Sequence, residues 1–211
     1  MTVIDHLVYA GPDLQALVRE VADLTGVEPV DGGRHEGRGT ANALLGLGEG
    51  RYLELLGPDP DQPEPARPRP LRVDEVSTPT MVGWAVNLGG AGRNIEALVT
   101  SSQADGYDPG PVAPMSRRTA DGDLLAWRLT PPEGGLGGAI PFLIDWGTTP
   151  HPSADLPSVE LTGLRLEHPE PEVVRAALTA VDAVGLVQVS TGERLRITAE
   201  LRTPRGTVTL G

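Results

Sequence analysis

A chain with four histidines and no cysteine can hold a metal or move a proton only through imidazole and carboxylate groups. His6 and Glu54 are the pair that stands out. His6 lies in Val3–Tyr9, whose alternation predicts a strand with Ile4, His6 and Val8 on one face and Asp5, Leu7 and Tyr9 on the other. Glu54 lies in a second extended run, Arg51–Leu56, on the face of Tyr52 and Leu56. An ionisable group among apolar neighbours needs a partner or a shifted pKa. Either residue alone reads as readily as a satisfied core group, but two of them on strands of one unit point to a shared site. Imidazole and carboxylate suit zinc, iron, nickel or manganese. His35, in the glycine-rich loop Gly33–Gly39 ahead of a strand, is either a third ligand or acid/base group, or a solvated loop residue. Asn42 near the start of that strand can orient a carbonyl or hydroxyl, or simply end a turn. His151, between two prolines, and His168, before Pro169, read as loop and surface.

The aromatic residues are few, and their placement is uneven. Trp84, Trp127, Trp146 and the single phenylalanine, Phe142, all fall between residues 79 and 147. Strand parity sets Phe142, Ile144 and Trp146 against Leu143 and Asp145. Packing alone accounts for such a cluster. Facing His6 and Glu54, however, these residues would form the apolar wall of a small-molecule pocket. Arg117, Arg118 and Arg128 read as solvated surface charges, with anchoring of an acidic ligand group as the alternative.

Every basic residue is arginine, so lysine chemistry is excluded. The net charge of −12 repels phosphate backbones, which argues against a nucleic-acid partner. No apolar run approaches the ~18 residues of a membrane span, and the N-terminal residues lack the pattern of a secretion signal. The expectation is a cytoplasmic protein with a small-molecule partner and no membrane attachment.

These side chains need elements to position them, and one grammar recurs. After the first strand, Gly11-Pro12-Asp13 opens a helix carrying Leu14, Leu17, Val18, Val21 and Leu24, closed by Gly26. Extended segments follow around Glu28–Val30, Thr40–Leu47 and Arg51–Leu56, the last two joined at Gly48-Glu49-Gly50. Residues 1–57 thus read as a βαβββ unit, and 58–78 as a proline-rich extended connector. In 79–147 the pattern returns: a strand at Val82–Leu88, a helix at Arg93–Ala104, at most one short strand within Asp108–Gly122, then strands at Leu124–Leu129 and Ile140–Trp146. A third βαβββ-like unit fills 158–211. The odd third unit either flanks a barrel made by the first two or completes a second barrel in a homodimer. The fold class is α+β, with repeated βαβββ units forming a curved, barrel-like mixed sheet and helices outside.

Ile4-Asp5-His6-Leu7-Val8 and Tyr52-Leu53-Glu54-Leu55 resemble the first module of the vicinal-oxygen-chelate superfamily (glyoxalases, bleomycin-resistance proteins and dioxygenases). Gly33–Asn42 and Pro141–Gly147 are similar to its glyoxalase-like domain group. The resemblance implies a cavity inside paired modules. In catalytic relatives that cavity holds a divalent metal, with one ligand from the first strand and one from the last strand of each module. It implies His6 and Glu54 as ligands, with His35 as a third ligand or, beside Glu54, a catalytic group. Trp84 and Ile144 take the matching places in the second unit, and Gly163 and Val208 in the third; none of these can ligate. The resemblance therefore implies either a metal-dependent lyase, isomerase or oxygenase, or a metal-free protein that sequesters a small molecule. In both, Asn42, Trp84, Trp127, Phe142 and Trp146 line the pocket.

Overall fold

The computed structural model describes residues 1–89, 94–118, 122 and 124–211. The first unit runs β1 (Val3–Ala10), α1 (Leu14–Thr25), β2 (Val30–His35), β3 (Thr40–Gly48) and β4 (Arg51–Pro58). The second runs β5 (Thr80–Asn87), α2 (Ile95–Ala104), β6 (Ala113–Arg118), β7 (Leu124–Leu129) and β8 (Phe142–Asp145). Arg93, the expected start of α2, and Thr119 to Asp121, at the end of the weakly patterned stretch, lie outside the described residues.

The eight strands close into one barrel in the order β1-β4-β3-β2-β6-β7-β8-β5. Each half repeats the same pairing, first strand parallel to fourth: β1 with β4, β5 with β8. The halves meet antiparallel along β1 and β5 from Val3–Asn87 to Ala10–Thr80. On the other side, among the described residues, they pair at Arg34 and Arg118. The third unit is β9 (Glu160–His168), α3 (Pro171–Ala180), β10 (Gln188–Thr191), β11 (Arg196–Thr203) and β12 (Gly206–Leu210). It keeps the element order but not the pairing. Its sheet runs β10-β9-β11-β12, so the first strand lies parallel to the second rather than to the fourth. It flanks the barrel, bonded to β3 through Gly46 N–H to Pro157 O and Val159 N–H to Gly46 O.

Strand alternation splits the apolar residues into two clusters. Outward side chains, among them Leu7, Leu45, Leu53, Leu55 and Trp84, pack with Leu17 and Val21 of α1 and Ile95 of α2. The same cluster continues into Leu161, Leu166 and Ile197 of the flanking sheet. Full burial of each such side chain contributes roughly 1.5–3 kcal/mol, so the helices and the third unit clasp the barrel from outside. Helix α1 starts where Asp13 accepts the Ala16 N–H and stops at Gly26, whose φ of 74° a residue with a Cβ resists. Inward side chains form the smaller cluster: Val8, Ala10, Leu56, Ala85, Trp127, Leu129, Phe142 and Ile144.

The proline-rich connector is more than the surface loop its composition suggests. Pro70–Glu75 form a 3-10 helix in which Leu71 and Arg72 take positive φ values of 57° and 54°. Leu71 and Val73 are buried in the inner cluster, closing it from the connector side. No helix among the described residues is long and apolar enough to cross a membrane.

Candidate functional site

The register of β1 decides what faces the barrel interior. Ile4 pairs with Val86 and His6 with Ala85, which leaves Asp5 as an extra residue, a bulge. The bulge corrects the simple alternation. Ile4 joins the outer cluster with Leu7, while Asp5, fully buried, becomes a hub of polar contacts beneath His6. Its carboxylate meets His6 Nδ1 at 2.7 Å and accepts from Asn87 Nδ2 at 2.9 Å and Trp146 Nε1 at 3.1 Å. His151 Nε2 sits 3.1 Å from it. Burial alone would raise the Asp5 pKa; hydrogen bonds and charge from His151 and His6 more than offset this and hold it well below the usual carboxylate range. An anionic Asp5 accepts a hydrogen bond from His6 Nδ1–H, which leaves Nε2 as the ring nitrogen that faces the cavity.

Glu54, on the inner face of β4, stands in front of that nitrogen. His6 Nε2 lies 3.8 Å from Glu54 Oε2, and His35 Nε2 lies 3.7 Å from Oε1. His35 is the last residue of β2 rather than a loop residue, and its Nδ1 is engaged by Thr40 Oγ1 at 3.0 Å. Burial pushes the His35 pKa down from 6.5; Glu54 opposes this, while Arg117, Arg38 and His6 add to it. Its ring is therefore neutral at pH 7. Asn42 Nδ2 donates to Glu54 Oε1 at 2.6 Å and holds the carboxylate in place. The Asn42 carbonyl oxygen, by contrast, is buried without a partner. A direct His6–Glu54 hydrogen bond, expected for two such groups without a metal, is not formed: at 3.8 Å the two atoms are too far apart, and each group is held by another partner.

Around the trio, Tyr52 stacks on His6 with ring centroids 4.7 Å apart, and Phe142 meets it edge-on at 5.3 Å. Burial, with Asp5 and Glu54 nearby, raises the Tyr52 pKa well above 10, so its hydroxyl keeps its proton. Phe142, Ile144 and Trp146 share the opposite wall, the one face their alternation predicts, and Trp127 joins them from β7. Trp84 does not join them. It pairs with the outward-facing Leu7, packs in the outer cluster and donates Nε1–H to Ala139 O. A shift of one residue along a strand exchanges faces, and the inward position opposite His6 belongs to Ala85. The free space left between these walls is about 50 Å³. A larger cleft of about 910 Å³ lies elsewhere, against the start of α1. It carries Asp13, Asp31, Glu36, Asp59 and Asp61 and no histidine.

The donors fit a divalent ion in kind and direction. Two imidazoles with their Nδ1 atoms occupied turn Nε2 toward one carboxylate, leaving other coordination positions open. Their spacing is wider than a bound site requires: ligands about 2.1 Å from one tetrahedral ion stand roughly 3.4 Å apart. Among the described residues, no group of three or more His, Asp or Glu side chains is close enough as it stands to hold a metal.

Three contributors escaped the sequence reading, and a fourth, Arg117, was read there first as a solvated surface charge. Asp5 was assigned to the far face, because the bulge that turns it inward is set by the pairing with β5. Arg117 is buried on the inner face of β6 with Met115, and its guanidinium donates to Gly32 O; alternation within β6 carried that information. His151, from the loop after β8, and Leu71, from the connector, have no local signal. Arg128 is paired with Glu96 and Asp145 outside the site, and His168 caps the turn before α3 through the Glu170 N–H.

The sequence profile of the glyoxalase-like domain family matches residues 4–181. Among solved structures, a hypothetical protein from Staphylococcus aureus is 16% identical with a TM-score of 0.63, covering 100% of this chain and 85% of that one. Methylmalonyl-CoA epimerase from Mycobacterium tuberculosis is 17% identical with a TM-score of 0.41, covering 67% of this chain and 85% of that one. No curated protein matches the chain.

Proposed function

The chain belongs to the glyoxalase-like domain family, within the vicinal-oxygen-chelate superfamily, and on that footing we propose that its barrel binds a small oxygenated molecule and acts on it with a divalent metal held by His6, Glu54 and His35. The reaction class is that of a lyase, isomerase or oxygenase. One observation carries the proposal: both imidazoles have Nδ1 occupied, by Asp5 and Thr40, and both aim Nε2 at the same carboxylate. A tightening of a few tenths of an ångström would bring each imidazole to the spacing that two ligands of one ion keep from Glu54. A metal there would polarise a substrate oxygen.

The chain's own residues do the rest. Asp5 fixes the tautomer and ring plane of His6. Asn42 aims Glu54. Trp127, Phe142 and Trp146 exclude water, which strengthens every electrostatic contact inside. Where His35 is not a ligand, its neutral ring accepts a proton at Nε2. Metal analysis of protein purified without chelators is the test. We expect bound metal, or tight uptake of zinc, iron(II), nickel or manganese that His6→Ala weakens at least 100-fold. Protein that is metal-free and indifferent to all four would overturn the proposal. The second reading is a metal-free sequestering protein. It is favoured by the 2.6 Å bond that already commits Glu54 Oε1 to Asn42.

A further inference from the structure

We infer that Arg117 is the counter-charge for a ligand carboxylate, so that the barrel takes small organic acids with the acid group on β6 and the other oxygens toward His6, Glu54 and His35. The inference rests on the small-molecule reading above and narrows it to a substrate class.

Arg117 lines the same cavity as the histidine–glutamate trio and is only 5% exposed. A guanidinium this deep is ordinarily matched by a carboxylate. Here, among the described residues, its side chain makes one hydrogen bond, to a neutral carbonyl, Gly32 O. Glu54 and Asp31 act on it only through the field of their charges. Glu54 is not its ion-pair partner: among the described residues, that carboxylate takes its one hydrogen bond from Asn42 Nδ2. Most of the planar N–H fork is thus uncommitted, and its geometry matches a carboxylate with two parallel bonds.

Beside this side chain, β2 runs close to β6 and β3. Gly33 has φ +125°, and a Cβ there would fall 2.1 Å from Arg118 O and 3.3 Å from Arg117 Nη1. At Gly32 a Cβ would fall 2.3 Å from Asn42 Oδ1. Gly32 thus makes room for the Asn42 side chain, and Gly33 for the Arg118 carbonyl next to Arg117. A bound cation at the trio would leave this interior with excess positive charge, which an acid group on the ligand offsets.

Arg117 also ties β6 to β2 through Gly32 O, beside the Arg34–Arg118 pair, and the experiment must separate that role from recognition. Pyruvate and its uncharged analogue pyruvamide are titrated calorimetrically into chelator-treated and manganese-loaded protein, using wild type, Arg117→Lys and Arg117→Met. Wild type should bind pyruvate at least tenfold more tightly than pyruvamide even without metal. Arg117→Met should abolish that preference without lowering Tm, because it removes a buried unpaired charge; Arg117→Lys should keep part of it. Equal binding of the two probes by wild type overturns the inference while leaving the cavity reading intact, and so does a preference that survives in Arg117→Met. Binding of neither probe, with or without manganese, overturns both. If Arg117→Met fails to fold, wild type and Arg117→Lys still decide, since a purely structural arginine gives no preference in either. Metal uptake is scored separately in the same manganese titration.

Discussion

Strands β1–β4 and β5–β8 wind the same way, first strand parallel to fourth, yet they present opposite chemistry to the space they enclose. The first half contributes Asp5, His6, His35, Asn42 and Glu54, each tied to another polar group. The second contributes Trp127, Phe142 and Ile144, with Arg117 as its charged exception. Where the first half has His6, its partner across the seam is Ala85; where β4 has Glu54, β8 has Ile144. Repetition of a fold therefore does not repeat a site. The shared topology fixes where an inward side chain stands, and the residue placed there sets whether that half supplies donors or a dry wall. A trio confined to one half leaves the far side of the cavity free for a ligand.

The most severe way to break this division is to write the first half's chemistry into the second. Ile144→Glu puts a carboxylate among Leu129, Trp127 and Phe142, none of which carries a charge that could pair with it. We expect it to cost about 3–5 kcal/mol of stability in urea denaturation. A loss below about 1 kcal/mol would show that the second wall tolerates charge and that the halves differ less than their residues suggest.

A smaller effect sharpens the comparison from the other side. Asp5→Asn keeps the size of the hub beneath His6 and removes its charge. If the first half is organised to present Nε2, affinity for manganese or zinc should fall 10–100-fold by calorimetry with the fold retained. Unchanged affinity would reduce Asp5 to a packing residue.

Much of this contrast was legible in the amino-acid sequence. Period-two alternation placed Tyr52, Glu54 and Leu56 on one face, and Phe142, Ile144 and Trp146 on another. Helix α1 was marked by its cap residues as well as its apolar stripe. What alternation could not supply is any departure from itself. The bulge at Asp5 turned Ile4 outward, and the matching of repeats placed Trp84 opposite the cavity when its own strand parity, set by pairing with Leu7, faces the outer core. The third unit shares the βαβββ order with the halves, but pairing is a long-range property, and β9 chose β10. His151 and Leu71 reach the site from loops, where no period exists to be read.

The smallest expected effect concerns the cost of gathering polar groups in one half. Burial holds the His35 pKa below its ordinary 6.5 in the folded chain, while the unfolded chain retains a value near 6.5. Between the two values the unfolded state binds more protons, so the free energy of unfolding increases with pH there. Stability contributed by a neutral His35 is accordingly complete above pH 6.5. It is lost as pH falls below that, and the loss ends once the folded-state pKa has been passed. A single group cannot impose a slope above about 1.4 kcal/mol per pH unit. His35→Gln keeps a hydrogen-bonding side chain beside Thr40 and removes the titration. Urea midpoints of chelator-treated protein at pH 7.5 and 5.5 should therefore drop more for wild type than for His35→Gln. Ile144 and Phe142, which wall the cavity from the second half, do not titrate, so the excess drop belongs to the first half alone. Equal drops in the two proteins would mean that His35 charges freely inside the barrel. It would then be a poor ligand at pH 7, and the trio would reduce to His6 and Glu54.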